Sequence, residues 1–294
     1  MRTDAAGALG VLCVHAHPDD EAIATGGVLV RAAAEGLRTA VVTCTGGERG
    51  EIYNMDIEAT RPRLAEVRRA ELAEALRLLG AGQPRLLGYV DSGMVGTEGN
   101  DDPASFWQAN VDEAVGRLVA QIRQFRPDVL VTYDAWGGYG HPDHVQTHRV
   151  ALLAAEACEV AALYPDAGPG WRVRKVYLST IPKSAIIRAN RAFAEQGIPS
   201  PFGDSDRVED VGFGTDDDRL GAAVDVRLHL ATKLAALRAH VSQLDASSFF
   251  LNVPPPLEEA IFGYETFVRH RSDVAADGLE GDLFAGLRPS PVVA

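Results

Sequence analysis

Apolar residues fall along this chain in short unbroken runs separated by longer stretches of helical periodicity. Residues 11–16 (Val-Leu-Cys-Val-His-Ala), 38–44 and 128–133 read as strands buried on both faces. Helix formers run from about Ala24 to Glu35 and stop at Gly36, where a terminating glycine is expected. Residues 63–79 carry Leu64, Val67, Leu72, Ala75, Leu76 and Leu79 at helical spacing and end at Gly80. A short strand follows at 85–88, then an amphipathic helix at 111–125 with Pro127 at its exit. Another helix opens at Pro142, a favoured first-turn position, and runs to about Glu159; residues 173–179 form one more strand. Strands alternating with helices of this length predict an α/β fold, a Rossmann-like and mostly parallel sheet with helices on both faces and right-handed crossovers. Residues 165–170 and 197–221 are rich in Pro, Gly and Asp and read as loop, 222–226 as strand and 228–244 as helix. The expected division is 1–180 as the catalytic part carrying the metal site and 181–294 as a C-terminal portion, a small subdomain that completes the fold and pocket.

Composition narrows the function. The chain has 294 residues, 46% hydrophobic, with 28 Lys plus Arg against 41 Asp plus Glu and a formal charge of -13. That balance repels phosphate backbones and anionic lipid, so nucleic acid and membrane are poor partners and a small neutral or cationic molecule is a better one. No apolar run approaches the ~20 residues of a membrane span. Residues 1–10 lack the basic region and cleavage pattern of a secretory signal. Three cysteines make no disulfide framework, so a cytoplasmic home is expected.

In an open parallel sheet, ligands bind beyond the carboxyl ends of the strands, and the unusual polar clusters lie there. His15-Ala-His17-Pro-Asp19-Asp20-Glu21 leaves the first strand, Thr45-Gly-Gly-Glu48-Arg49-Gly50-Glu51 the second, and Tyr133-Asp134 through Tyr139-Gly-His141-Pro-Asp143-His144 the strand at 128–133. Of eight histidines, five lie in these clusters or directly after them, at His148. Histidines and carboxylates at a strand terminus suit a zinc ion that keeps one position open for water. His17 and Asp20, three apart on a proline-initiated turn, can point the same way, and His144 lies in the first turn of a helix at the same edge. The plainer alternative makes these residues helix caps and satisfied turns, but it must account for two His-Pro-Asp clusters independently. No Gly-x-Ser-x-Gly elbow and no phosphate loop occurs.

His17-Pro-Asp19-Asp20-Glu21 paired with His141-Pro-Asp143-His144 resembles the zinc-dependent N-acetylglucosamine deacetylases that include the LmbE-like proteins, and within them the mycothiol branch. The resemblance runs from about Val11 to Ala155 and returns faintly near Val224 to Asp245. It implies one Zn2+ per chain, with Fe2+ a possible substitute, held by His17, Asp20 and His144. It implies Asp19 as the general base, His141 facing the developing oxyanion and oriented by Asp143, and Tyr139 near the same oxygen. Arg68, Glu48, Asp91 and Met94 would contact the sugar and inositol. The implied reaction is removal of the N-acetyl group from an N-acetylglucosaminide, above all N-acetylglucosaminyl-inositol. The alternatives are a mycothiol S-conjugate amidase, a deacetylase of another amino-sugar natural product, and a sugar-binding relative without catalysis. Tyr139-Gly-His141 and Asp91-Ser-Gly-Met94 are deacetylase-like, whereas 46–50 and 243–245 are closer to the amidase. The sequence carries no reading of oligomeric state.

Overall fold

The computed structural model describes residues 8–245, 247–275 and 278–288. The reading of residues 1–10 as lacking a signal falls mostly on 1–7, which lie outside this set, as do residues 289–294 of the C-terminal portion. The strands are β1 (Gly10–His15), β2 (Arg38–Thr45), β3 (Arg85–Tyr89), β4 (Val129–Tyr133), β5 (Lys175–Thr180), β6 (Ala222–Asp225) and β7 (Tyr264–Ser272). They form one sheet in the order β3-β2-β1-β4-β5-β7-β6. The first five are parallel, and β7 runs antiparallel to both β5 and β6. The helices are α1 (Asp20–Ala24), α2 (Gly26–Ala34), α3 (Ile57–Thr60), α4 (Leu64–Leu79), α5 (Val111–Phe125), α6 (Pro142–Ala157), α7 (Lys183–Glu195), α8 (Leu230–Arg238), α9 (Phe249–Asn252) and α10 (Pro255–Phe262).

The unbroken apolar runs are explained by burial on both sides. In β1, Val11 and Cys13 face a core built with Leu29 of α2, Leu72 and Leu76 of α4 and Leu237 of α8. Leu12 and Val14, one residue out of phase, face a second core built with Leu118 and Ile122 of α5 and Val150 of α6. Side chains alternate along a strand, so both parities must be apolar when both faces are covered. The mostly parallel α/β architecture is therefore as expected.

Two local readings are refined. The helix expected at 24–35 is α2, and it is preceded by an unexpected short helix, α1, from which it is separated at Thr25, whose hydroxyl donates to the carbonyl of Glu21. A new helix starts there because Glu265, from β7, accepts the Gly27 and Val28 N–H groups at 2.7 and 2.8 Å, satisfying two orphan donors of α2. The helix expected at 228–244 is shorter, ending at Arg238 before a separate turn at Val241–Gln243. Beyond residue 180, β6 and β7 extend the sheet. Elsewhere Phe193, Leu234, Val253, Leu257 and Phe262 form a small cluster of their own linking α7, α8 and α10. Among the described residues no helix is long and apolar enough to cross a membrane.

Candidate active site and metal centre

Four parallel strands deliver side chains to one edge. His17, Asp19 and Asp20 follow β1, Glu48 follows β2, Asp91 follows β3, and His141, Asp143 and His144 follow β4. His17 Nδ1 lies 3.2 Å from His144 Nε2 and 3.5 Å from Asp20 Oδ2, and the last two atoms are 3.4 Å apart. For ligand bonds of about 2.0–2.1 Å in a tetrahedral arrangement, neighbouring donors should stand about 3.4 Å apart. These three atoms are spaced as one face of such a site.

The remaining atoms of the same side chains are turned outward and tied down. His17 Nε2 lies 3.2 Å from Asp143 Oδ2 and 3.6 Å from Asp91 Oδ1. His144 Nδ1 lies 3.0 Å from the carbonyl of Gly137, and donating there leaves Nε2 as the free lone pair. Gly137 adopts φ +65°, and a Cβ there would stand 2.5 Å from His144 Cβ, so only glycine lets that turn approach. Asp20 Oδ2 accepts from Tyr133 Oη at 2.7 Å and from the His17 N–H at 2.9 Å. Two groups bring ligand-type atoms within 4.8 Å of one another, one of His17, His141 and His144, the other of His17, Asp91, His141 and Asp143. In the second group, however, the carboxylates of Asp143 and Asp91 face the outward nitrogen of His17, so they serve as its orienting partners. Burial alone would push the His17 imidazole pKa down, yet its hydrogen bonds to the carboxylates of Asp143, Asp20 and Asp91 hold it well above the ordinary value. Negative charge that favours a proton at this spot equally favours a divalent cation. The donor set and its spacing fit a metal.

Asp19 is held differently from its neighbour. Its backbone has φ 109° and ψ -33°, a conformation that non-glycine residues rarely adopt and one that costs about 1–3 kcal/mol. That twist separates two consecutive carboxylates. Asp20 faces the two histidines, while Asp19 Oδ2 meets Arg68 Nη2 at 3.1 Å. Burial pushes the Asp19 carboxyl up to about 6, against the pull of Arg68. A carboxylate ionising near neutrality suits a proton acceptor. Arg68 also donates to the carbonyls of Pro18 at 2.5 Å and Gly47 at 2.8 Å. Arg68, expected to contact the sugar and inositol, is buried and braces the loops after β1 and β2.

His141 caps α6: its Nδ1 accepts the Asp143 N–H at 3.1 Å. The Asp143 contact to His141 is made by its backbone amide, while its carboxylate faces His17 and accepts the Ser92 N–H. With Nδ1 accepting, the His141 proton sits on Nε2, a donor whether the ring is neutral or charged. Burial, followed by the nearby His17 and His144, lowers its pKa to about 4. Tyr139 packs edge-on to His144 with ring centroids 4.9 Å apart and remains half exposed. Glu48 Oε2 accepts the Asp91 N–H at 2.9 Å, and Met94 is exposed on the loop past β3. His148 Nδ1 donates to the Tyr133 carbonyl at 2.8 Å.

Sequence reasoning assigned no role to Tyr133, Ser92, Glu21 and His240. Tyr133 ties Asp20 to β1 by also accepting the Ala16 N–H. Glu21 accepts the Asp19 N–H at 2.9 Å and pairs with His240 Nε2 at 2.7 Å. The adjacency of Glu21 to Asp19-Asp20 was the one signal available for it; His240 lies 219 residues away and offered none.

Histidines and carboxylates with ligand-type spacing at the carboxyl edge of a parallel sheet make this edge a candidate metal centre. The family model described as PIG-L, GlcNAc-PI de-N-acetylase, matches residues 12–155. A 1D-myo-inositol 2-acetamido-2-deoxy-alpha-D-glucopyranoside deacetylase of Geodermatophilus obscurus is 44% identical over 94% of this chain and 97% of its own length. A protein of the same description, numbered 1, from Catenulispora acidiphila is 42% identical over 94% of this chain and 89% of its own. The chain belongs to the PIG-L (GlcNAc-PI de-N-acetylase) family. Among solved structures, the N,N'-diacetylchitobiose deacetylase of Pyrococcus horikoshii shares the fold with a TM-score of 0.63 at 21% identity, covering 90% of this chain and 84% of that one. GalB of Pseudomonas putida KT2440, a 4-carboxy-2-hydroxymuconate hydratase, shares it at 0.60 and 18%, covering 92% and 99%. A hydratase and a deacetylase on one architecture mean that the site, not the fold, selects the reaction.

Proposed function

We propose that this chain is a zinc-dependent N-deacetylase that hydrolyses the acetamide of 1D-myo-inositol 2-acetamido-2-deoxy-alpha-D-glucopyranoside, releasing acetate and the free amine. Fe2+ could take the place of zinc in the same donor set. The observation that carries the reading is the triangle of His17 Nδ1, Asp20 Oδ2 and His144 Nε2 beside the strained Asp19, in a chain 44% identical to a relative named for that deacetylation. A bound divalent ion supplies Lewis acidity, polarising the amide carbonyl and lowering the pKa of water toward ~7.

The chain's own groups do the rest. The Asp19 carboxylate takes the proton from the attacking water and returns it to the departing amine nitrogen, one group serving both steps. His141 Nε2–H donates to the carbonyl oxygen as it gains negative charge, a contribution of about 3 kcal/mol for one such donor. Tyr139, on the rim beside His144, would contact the same oxygen. Asp91 and Glu48 are acceptors suited to sugar and inositol hydroxyls, Met94 offers an apolar surface, and Arg68 acts through Asp19. A small amino sugar is the partner this arrangement recognises.

The test is release of acetate from the inositol glucosaminide by purified, metal-loaded protein. Asp19→Asn should keep its metal and lose about 10²–10⁴ in turnover. Unchanged turnover would remove Asp19 from the role of base. Cleavage of a mycothiol S-conjugate in preference to the acetamide would move the assignment to the amidase.

A further inference from the structure

Asp19 has a backbone unlike the other positive-φ, non-glycine residues among those described: at φ 109° it lies far from the values of 50° to 57° at Asn54, Arg126 and Tyr164. A strained residue persists only where its surroundings over-determine it. The Asp19 carbonyl is held by α1, accepting from Ala22 and Ile23 N–H at 3.0 and 3.2 Å. The Asp19 N–H, on the other side of the strained φ, is held by one group, Glu21 Oε2 at 2.9 Å. The second oxygen of Glu21 is fixed in turn by His240 Nε2 at 2.7 Å. Glu21 and His240 are completely buried, and neither touches the three ligand-type atoms of the metal triangle. His240 follows α8, a helix that packs against α1, α2 and α4.

We propose that Glu21 and His240 form a positioning pair for the catalytic base, with His240 acting from the far end of the chain to keep the Pro18–Asp19 peptide in its strained orientation. The inference rests on the reading of Asp19 as base. Glu21 spends one oxygen on each partner, so losing His240 frees its carboxylate to rotate away from the Asp19 amide. With that amide released, φ relaxes and the Asp19 carboxylate shifts from the orientation in which Arg68 meets it. Arg68 holds the other end of the same planar peptide through the Pro18 carbonyl, and the Asp19 carboxylate as well, so Glu21 and Arg68 anchor this unit from its two ends and loss of the Glu21 contact leaves one end loose. A buried ion pair is weak evidence for stability in general. This one sits on the N–H end of the peptide that sets the direction of a catalytic side chain. Through this pair, a segment beyond residue 180 takes part in catalysis without reaching the substrate.

The experiment compares His240→Leu, which fills the volume without a donor, with His240→Gln, whose amide N–H can reach Glu21 Oε1. Metal content, KM and kcat are measured on metal-loaded full-length protein, with Asp19→Asn alongside. A displacement of about 1 Å in a reacting group costs about 10²-fold. The leucine variant should therefore lose about 10- to 100-fold in kcat, with metal content and KM unchanged, and the glutamine variant should recover most of the loss. If the leucine variant does not fold, His240→Asn replaces it; its amide stops short of Glu21, and its kcat should fall while that of the glutamine variant does not. Wild-type kcat in the leucine or asparagine variant, a loss accompanied by metal loss or raised KM, or no recovery with glutamine would overturn the proposal. If Asp19→Asn is inactive while the leucine variant is fully active, the positioning pair alone falls. If Asp19→Asn is fully active, the assignment of the base falls, and the pair with it.

Discussion

Replacing Tyr133 by Phe deletes one oxygen from the middle of a buried relay and leaves its shape in place. The hydroxyl accepts the Ala16 N–H at 2.8 Å and donates to Asp20 Oδ2 at 2.7 Å, while the ring stacks on His144 at 4.3 Å with 22° between planes. Phe keeps the stacking and the volume, so no cavity contributes to the outcome. Two separate effects follow. The Ala16 amide, fully buried at the end of β1, loses its partner, which costs about 1–3 kcal/mol of folding stability. Asp20 loses the donor that orients it, and loss of such an outer partner weakens metal binding about 10- to 100-fold. The first effect is read by urea denaturation of the chelator-treated protein, so that metal binding does not add to stability by mass action. The second is read by competition against a chromogenic chelator. A metal affinity within about threefold of wild type would refute the claim that Tyr133 orients Asp20. If the stability loss nevertheless remained, Tyr133 would be a support for β1 only.

Three further outcomes are expected. His144→Ala leaves two of the three triangle atoms, so elemental analysis should find metal well below one per chain after dialysis; full occupancy would contradict the ligand assignment. Leu118→Ala, at a fully buried position between α5 and the sheet, should cost about 2–5 kcal/mol in urea denaturation, because the surrounding core relaxes only partly. Lys175→Met removes a fully buried ammonium 2.6 Å from Glu280 and should destabilise by about 3 kcal/mol, the low end for breaking a buried pair. Tyr177 and Arg269 still contact that carboxylate, and a neutral effect would mean that they satisfy it alone.

The clearest elements in the sequence were those whose local spacing is also their structural role. Strands covered on both faces must be apolar at both parities, so β1, β2 and β4 stood out as runs. Helix α4 stood out because its buried positions repeat at helical spacing. Strand β7 did not, because only Glu265 and Phe267 are buried along it and one of these two is a carboxylate. That carboxylate caps α2 and pairs with Lys233 at 2.7 Å, a use of the inward face that no hydrophobic pattern reveals. The break at Thr25 was hidden for the same reason, since the group that starts α2 arrives from more than two hundred residues away.

The site divides along the same line. Residue types and their placement at strand ends were written in the two His-Pro-Asp clusters, because parallel strands bring their carboxyl ends to one edge and the motifs lie next to those ends. The chain alone therefore determined the fold class and which polar residues come to that edge. Tertiary contacts decided which nitrogen of His17 turns inward, that Asp143 serves His17 with its carboxylate and His141 with its amide, and that Asp19 and Asp20 point apart. Those choices depend on hydrogen bonds to the far side of each group, made by partners as distant as Tyr133, Asp143 and His240. Periodicity records how often a side chain meets a face; it carries no record of which atom of that side chain has been claimed by a neighbour from elsewhere in the chain.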